Sequence, residues 1–281
     1  MNTIDRTAVA SAVAQHVTAV RASSWGSLFD CAHKWEGEHL LGMRKASGLR
    51  AQLGTAIHAS TAQFDAGRLP GGNPLTVDET AGAFVDALHN PDRDVDFSQD
   101  DLTLKEAEKI GLKLHSLYCL DLSPQFTFKS VEQQLAPLDI DCGNGQVIRL
   151  TGTMDRARVA ETEDGVVIPD VKTGARVVAN GVAQIKGRSA QVGTYQLMYE
   201  ATEGVRTVGG QVLALSTAGK PQALASQVFD AKRVMLGTDT QPGLIQFAAE
   251  MFRSGLFPPN PSSVLCSERY CARWASCIHH E

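Results

Sequence analysis

The chain has 281 residues, of which 43% are hydrophobic and 20% are charged, with a formal net charge of −5. These proportions are those of an ordinary globular protein with a substantial core. No apolar run approaches the roughly 20 residues needed to cross a bilayer, and residues 1–20 lack the charged and apolar segments of a secretory signal. We therefore expect a cytoplasmic protein. The negative charge argues against a non-specific nucleic-acid coat but does not exclude a nucleic-acid enzyme.

The first half of the chain is predicted to be mainly helical. The predicted helices cover residues 1–20, 24–36, 50–67, 77–88 and 102–122. Ser23-Ser24 offers an N-cap for the second helix, and Leu53, Ile57 and Phe64 recur near helical spacing in the third. The acidic loop Asn90–Asp101 is interpreted as a solvated face.

From Thr127 the pattern changes to that of strands. The predicted strands are one that contains Glu132, a pair covering Ile148–Val159 and Val166–Val171, and two covering Thr207–Ser216 and Ala223–Phe229. Helices are predicted over Ala183–Thr202 and Leu244–Phe252, with a loop-rich tail from Phe257. This order predicts an α/β fold with a mixed sheet. We expect one domain over 1–281, divided into an extension (1–22), a helical part (23–125), an α/β core (126–255) and the tail (256–281).

The paired strands carry three charges in apolar surroundings, namely Asp155, Asp170 and Lys172. Buried charges are costly unless they are paired or hold a metal. Asp170 and Lys172 are two residues apart, so on a strand they lie on one face. Carboxylates are the ligands of Mg²⁺ or Mn²⁺, with the Val171 carbonyl as a further ligand, and Lys172 can position water and stabilise phosphate charge. Pro169 predicts an edge position or an irregularity.

The pattern G-x-x-D at Gly152–Asp155, followed by P-D-V-K-T-G at Pro169–Gly174, resembles the PD-(D/E)XK nuclease superfamily. The resemblance is closest to RecB-type nucleases, including CRISPR-associated and phage exonucleases. Their L-G-x-x-x-H motif has a counterpart in Leu53–His58, and their Q-x-x-x-Y motif in Gln191 and Tyr195. The resemblance implies a restriction-endonuclease-like core, in which helices flank a central mixed β-sheet, with a helical N-terminal part and a cysteine-closed tail.

The resemblance also implies the roles of these residues. His58, Asp155 and Asp170 hold Mg²⁺ or Mn²⁺ with the Val171 carbonyl, and Lys172 assists the attacking water. Gln191 and Tyr195 support the lysine and approach DNA. Glu132 is the counterpart of the family's glutamate on the preceding strand. Two alternatives remain for this residue: a supporting group behind the ligands, or a solvent-facing strand residue.

The implied activity is that of a metal-dependent deoxyribonuclease in DNA end processing, repair or recombination, in a bacterial or phage-infected cell. An exonuclease is the first expectation, and an endonuclease is the alternative. No P-loop pattern is present, so no helicase motor is expected. Two rival hypotheses are a non-catalytic DNA-binding or assembly subunit and a redox-sensing metal-cluster protein. DNA is the expected partner, with a recombination or single-strand-annealing protein and a homo-oligomer as further expectations.

Three cysteines lie within twelve residues near the C-terminus: Cys266, Cys271 and Cys277. In a reducing cytoplasm this spacing indicates metal ligation, and Cys31 is the candidate fourth ligand. In the resembling nucleases four cysteines so placed hold a [4Fe–4S] cluster. Here four residues separate the first two C-terminal cysteines where the commonest family spacing has two, so Zn²⁺ and no metal remain alternatives.

Other cysteines, histidines and cations have less specific patterns. Cys119 and Cys142 are interpreted as structural, and His279 and His280 as alternative ligands or disordered terminal residues. Trp25 and Trp35 are expected in the core rather than stacked on bases. Five cations are candidates for phosphate contacts, with ordinary solvated charge as the alternative: Arg156, Arg158, Arg176, Lys186 and Arg188.

Overall fold

A computed structural model describes residues 15–161 and 164–280. The α-helices of this part are α1 Trp25–Asp30, α2 Ala32–His39, α3 Leu49–Gly67, α4 Val77–His89, α5 Leu104–Leu117, α6 Ser189–Glu203, α7 Lys232–Leu236 and α8 Leu244–Ser254. The strands are β1 His16–Arg21, β2 Ser47–Gly48, β3 Val95–Asp96, β4 Phe128–Gln134, β5 Leu138–Asp141, β6 Gln146–Thr151, β7 Thr153–Val159, β8 Val166–Gly174, β9 Val178–Ala179, β10 Val182–Ala183, β11 Thr207–Ser216, β12 Gln222–Ala225, β13 Gly237–Thr238 and β14 Gln241–Pro242.

The main sheet has five strands in the order β12-β11-β8-β7-β4. Strands β8 and β11 are parallel, and the other neighbours are antiparallel, so the sheet is mixed. A second sheet has the order β1-β6-β5, in which β1 is parallel to β6. The predicted fold class, a mixed sheet flanked by helices, is confirmed. None of the described helices is both long and apolar enough to cross a membrane.

Two hydrophobic clusters cover the two faces of the main sheet. One joins α3, α4 and α5 to Val171 and Leu213. The other joins α6 and α8 to Ile168 and to the buried Trp25 and Trp35. Alternate residues of a strand face opposite ways, so β8 supplies both clusters. The expectation that both tryptophans lie in the core is confirmed.

Three predicted elements are wrong in their type, number or bounds. Residues 16–21 form a strand rather than a helix, because His16–Arg21 pairs with Gln146–Thr151; residues 1–14 lie outside the described part. The strand predicted over Ile148–Val159 is two strands, which belong to different sheets and meet at Gly152. The helix predicted from Ala183 begins at Ser189, since residues 178–183 form a small hairpin.

Local hydrogen bonds explain several smaller differences. The helix over 24–36 is interrupted at Cys31, whose backbone is extended, and the Ser24 hydroxyl donates to the Arg21 carbonyl instead of capping. Helix α5 ends at Leu117 and continues as a π-turn to Leu122. The strand predicted over 223–229 covers Gln222–Ala225. Within the acidic loop, Asp100 is an exception to the solvated face, because its side chain is only 5% exposed and accepts hydrogen bonds from the Arg50 amide and the Arg269 guanidinium.

Candidate active site

Three ligand-bearing elements converge beside the main sheet. Helix α3 supplies His58, strand β4 supplies Glu132 and strand β7 supplies Asp155. One ligand atom of each lies within 4.8 Å of the others. Among the residues that the structure describes, no other group of three or more His, Cys, Asp or Glu side chains meets that distance. Oxygen and imidazole donors suit Mn²⁺ and, for the carboxylates, Mg²⁺. These three residues therefore fit a divalent cation.

The hydrogen bond of His58 fixes the tautomer that faces the other two ligands. Its Nε2 lies 2.6 Å from the carbonyl oxygen of Val171. A carbonyl only accepts, so Nε2 must donate, and Nδ1 keeps its lone pair in the neutral ring. Nδ1 lies 3.7 Å from Oδ2 of Asp155. The Val171 carbonyl, predicted as a metal ligand, thus has a protein donor here and one lone pair left.

Asp155 lies where the ladder between β7 and β8 has ended. The paired residues of that ladder are Arg158 with Val167 and Val159 with Val166. Beyond them, Oδ2 of Asp155 accepts a hydrogen bond from the Val171 amide at 2.8 Å. The side chain therefore replaces a backbone acceptor at the point where the strands separate. Pro169 follows the end of this ladder, which agrees with the predicted irregularity.

Glu132 has an unusual backbone for a residue inside a strand. Its φ is +47°, in the left-handed region that disfavours a residue with a side chain. Its neighbours Val131 and Gln133 pair with Arg156 and Met154, so Glu132 stands opposite Asp155. Burial, and then the charge of Asp155, raise the pKa of Glu132. A cation bound by the triad of His58, Glu132 and Asp155 would relieve this repulsion.

Asp170 and Lys172 form a pair next to the triad. The Asp170 side chain is fully buried, and the Lys172 ammonium donates to its Oδ1 at 2.9 Å. The second oxygen, Oδ2, lies 2.7 Å from the same nitrogen but accepts no hydrogen bond from the residues that the structure describes. Burial raises the pKa of Asp170, while Lys172 acts in the opposite direction. Asp170 lies outside the three-residue group, so in this geometry its immediate partner is the lysine.

Gln191 and Tyr195 lie one turn apart on α6, and the Gln191 amide donates to the Tyr195 hydroxyl at 3.3 Å. The tyrosine is buried, and burial raises its pKa. A Cβ at Gly152 would lie 2.9 Å from the Tyr195 ring. The glycine of the G-x-x-D motif therefore makes room for the tyrosine of the Q-x-x-x-Y motif.

Two of the five candidate DNA contacts are wrong. Arg156 and Arg158 are buried, at 0% and 2% exposure, because both donate to carboxylate and amide groups inside the protein. Arg176 and Lys186 are exposed and Arg188 is partly exposed. All three flank the small hairpin formed by β9 and β10.

The hairpin was missed from the sequence, although its Asn180-Gly181 turn is a strong hairpin signal. Val177, which precedes the hairpin, and Ala183 of β10 pack against Val212 and Ala214. These two residues of β11 are the ladder partners of Asp170 and Lys172. The hairpin is a separate two-stranded sheet, and it packs on the face of the main sheet that carries the Asp170 and Lys172 side chains.

The fold brings the four candidate cysteine ligands to one cavity of about 20 Å³. The cavity is lined by Cys31, Cys266, Cys271 and Cys277, together with His33, His279 and His280 among other residues. Protein contacts already hold this tail in place, because Asn260 donates to the Asp30 carbonyl at 2.9 Å and Arg273 to the His33 carbonyl at 3.0 Å. Cys119 is buried elsewhere, and burial raises the pKa of its thiol to about 12.

The sequence matches the family model of the PD-(D/E)XK nuclease superfamily over residues 22–278. The chain therefore belongs to the PD-(D/E)XK nuclease superfamily, whose members commonly use divalent metals. None of the curated proteins matches the chain. Among solved structures, the crystal structure of SSO0001 matches 90% of this chain and 95% of its own, with 12% identity and a TM-score of 0.34. That likeness is too low to bear on function.

Proposed function

We propose that the protein is a Mg²⁺- or Mn²⁺-dependent deoxyribonuclease of RecB type that acts as an exonuclease in DNA end processing, repair or recombination. The superfamily supports a nuclease. The observation that carries the metal dependence is the convergence of His58, Glu132 and Asp155 within 4.8 Å, beside a buried Asp170–Lys172 pair. The whole chain forms one nuclease domain with the divisions predicted above, and the cysteine tail closes it.

The ligands of the cation are Nδ1 of His58 and the carboxylates of Glu132 and Asp155, with Asp170 adjacent. When bound, the ion supplies Lewis acidity at the phosphate and lowers the pKa of a water molecule. Such a cation lets all of these carboxylates ionise together, which their mutual repulsion otherwise opposes. The Val171 carbonyl holds the His58 ring in the orientation that points Nδ1 at the site.

Lys172 has two roles in this proposal. Its ammonium compensates the charge of the buried Asp170, and it presents donors to the attacking water and to the phosphate oxygens, where negative charge develops. Gln191 and Tyr195 form the wall on the α6 side. The Tyr195 hydroxyl stays protonated at neutral pH because burial raises its pKa, so it serves as a hydrogen-bond donor.

The cations around the β9–β10 hairpin provide a DNA contact. Arg176, Lys186 and Arg188 have no carboxylate partner among the residues that the structure describes. Unpaired cations near the catalytic pair suit phosphate binding, which positions DNA without reading its sequence. Their neutralisation is expected to weaken DNA binding and to reduce its salt dependence, by about one unit of logarithmic slope per lost contact.

The four cysteines hold a metal centre, with a [4Fe–4S] cluster as the first expectation and Zn²⁺ as the alternative. Their convergence on one cavity supports ligation, since Cys31 is far in sequence from the other three. Anaerobic purification followed by iron, sulfide and zinc analysis separates these outcomes. A broad absorbance at about 400 nm is expected for the cluster, and stoichiometric zinc without iron favours the alternative. Metal-free protein with full stability contradicts both.

The test of the nuclease proposal is degradation of end-labelled linear DNA, single- and double-stranded, with Mg²⁺, Mn²⁺ or EDTA. Covalently closed circular DNA is included because an exonuclease leaves it intact. Lys172→Ala is the inactive variant, and Lys232→Ala, which removes a lysine paired with Glu200 rather than with a candidate site residue, is the matched control. Equal inertness of wild type and Lys172→Ala on every substrate contradicts the proposal, and DNA binding without cleavage indicates a non-catalytic subunit.

A further inference from the structure

Arg156 stands next to the candidate ligand Asp155 on β7 and is fully buried. Its Nε donates to Oδ2 of Asp65 at 2.7 Å. Its Nη1 donates to Oε1 of Glu132 at 3.2 Å and to the backbone carbonyl of Asp155 at 2.8 Å. One guanidinium therefore contacts helix α3, strand β4 and its own strand β7.

Asp65 connects this contact to the helix that carries His58. It lies seven residues after His58 on α3, which is two helical turns and therefore nearly the same face. Its carboxylate is fully buried and also accepts hydrogen bonds from the Tyr118 hydroxyl, at 2.5 Å, and from the Ser123 hydroxyl. The segment that follows α5 thus fixes Asp65 from the other side.

We propose that the buried Arg156–Asp65 pair sets the spacing of the three elements that carry His58, Glu132 and Asp155. Arg156 and Asp65 are then positioning residues: they touch no substrate, and they act through the ligands that they hold. This inference rests on the proposed metal-dependent function.

The contacts of Arg156 are poorly explained by stability alone. A buried ion pair is often no more stable than packed apolar side chains of similar volume. Within the described part of the chain, Nη2 of Arg156 has no hydrogen-bond partner, so the guanidinium is incompletely satisfied. Its Nη1 is instead directed at a glutamate that is 43% exposed and has a left-handed backbone. Core packing alone does not explain why the Arg156 guanidinium donates a hydrogen bond to the Glu132 side chain.

Strand β7 supplies a matched control two residues further on. Arg158 is also buried, and its donors go to Gln211 at 2.9 Å, to the Val159 carbonyl at 2.8 Å and to Glu161 at 2.6 Å. None of these acceptors belongs to the candidate metal site. Arg156→Lys and Arg158→Lys therefore make the same chemical change in the same strand, one with and one without a contact to a ligand.

The test measures Mn²⁺ binding to the full-length, DNA-free protein, by the paramagnetic resonance signal of free Mn²⁺ and by calorimetry. A lysine keeps the positive charge but has a single nitrogen, which cannot replace the two directed nitrogens that bond Asp65 and Glu132. Changes in such supporting partners typically weaken metal binding by about 10–100-fold. We expect a loss of at least about tenfold for Arg156→Lys and less than about threefold for Arg158→Lys, with circular dichroism confirming that both are folded.

The outcomes separate this inference from the proposed function. Equal Mn²⁺ affinity in wild type and folded Arg156→Lys, or equal weakening in both variants, overturns the positioning role while the metal site stands. Folded wild type that binds no Mn²⁺ overturns the proposed function and this inference with it. If Arg156→Lys does not fold, Tyr118→Phe removes one hydrogen bond to Asp65 and keeps both charges; unchanged Mn²⁺ affinity in that variant overturns the inference, and a weakening of a few-fold supports it. The effect of Arg156→Lys is expected to be smaller in a Glu132→Gln background than in the wild type, because part of it acts through Glu132.

Discussion

Replacement of Lys172 by methionine tests the charge balance of the site directly. The change removes the ammonium that lies 2.7–2.9 Å from the two oxygens of the buried Asp170. Breaking a buried pair by removing one partner typically costs about 3–5 kcal/mol. The carboxyl can escape by taking up a proton, which at pH 7 costs about 4 kcal/mol for a group with an unfolded pKa near 3.9. We therefore expect Lys172→Met to lower the free energy of unfolding by about 3 kcal/mol at pH 7 in EDTA.

The pH dependence of this loss has a definite sign. Burial raises the pKa of Asp170 in the folded protein, and the loss of Lys172 raises it further. An acid whose folded pKa lies above its unfolded pKa binds more protons in the folded state, so its unfavourable effect grows as the pH rises above the unfolded value. The difference between wild type and Lys172→Met is therefore expected to shrink as the pH falls from 7 towards 4.5.

The assay is urea denaturation followed by circular dichroism, at pH 7 and pH 4.5, with EDTA and with saturating Mn²⁺. Mn²⁺ at about 100 times its dissociation constant adds about 2.7 kcal/mol to a protein that binds it, and the cation can replace part of the missing charge. Lys232→Met is the control, since its partly exposed pair with Glu200 is expected to contribute under about 1 kcal/mol. Equal losses at the two pH values, or a loss no larger than in Lys232→Met, would refute this account of Asp170.

Three further predictions concern His115, Glu132 and Gly152. Burial lowers the pKa of His115 in the folded protein, so the unfolded chain takes up a proton first and stability is lost as the pH falls below about 6.5. His115→Gln should reduce this pH dependence in a stability profile measured by urea midpoints from pH 5 to 8. A slope equal to that of the wild type contradicts the prediction. Glu132→Gly should raise the free energy of unfolding by about 1 kcal/mol by relieving the left-handed backbone, while Mn²⁺ binding is lost; Glu132→Gln keeps the strain and is its control. Gly152→Ala should lower the thermal midpoint, with a destabilisation of about 1–3 kcal/mol, because its Cβ meets the Tyr195 ring; a midpoint equal to wild type contradicts the close approach.

Local signals were enough to predict several elements from the sequence. Strand β11 has the predicted bounds, Thr207–Ser216, and helix α3 differs from its prediction by one residue. The side-chain period of a strand also placed Asp170 and Lys172 together, and they form a hydrogen bond. These features depend on residues that are close in sequence, so one sequence contains what is needed to predict them.

Features that depend on distant partners were not predictable in the same way. Arg156 and Arg158 alternate with smaller residues, which is typical of a half-exposed strand, but β7 lies between β4 and β8 and is buried on both faces. Their acceptors, Asp65 and Gln211, lie 91 and 53 residues away. Strand β1 likewise depends on pairing with β6, which is far away in sequence. Only the contact itself shows that such a charge or strand belongs in the interior.

The interpretation of Glu132 changes most between sequence and structure, because the fold alone does not explain its left-handed backbone. A left-handed residue with a side chain costs of the order of 1–3 kcal/mol, and glycine would adopt the same backbone at little cost. Asp155 has an amide donor and Asp170 an ammonium, so protein groups compensate both carboxylates. Glu132 accepts a hydrogen bond from Nη1 of Arg156, which also donates to the Asp155 carbonyl. It stands opposite Asp155 and has a raised pKa. A cation bound between β4, β7 and α3 would explain both the strained backbone of Glu132 and the incomplete compensation of its charge. The sequence gives the least support to Glu132 as a site residue, yet its geometry argues most directly for a metal site.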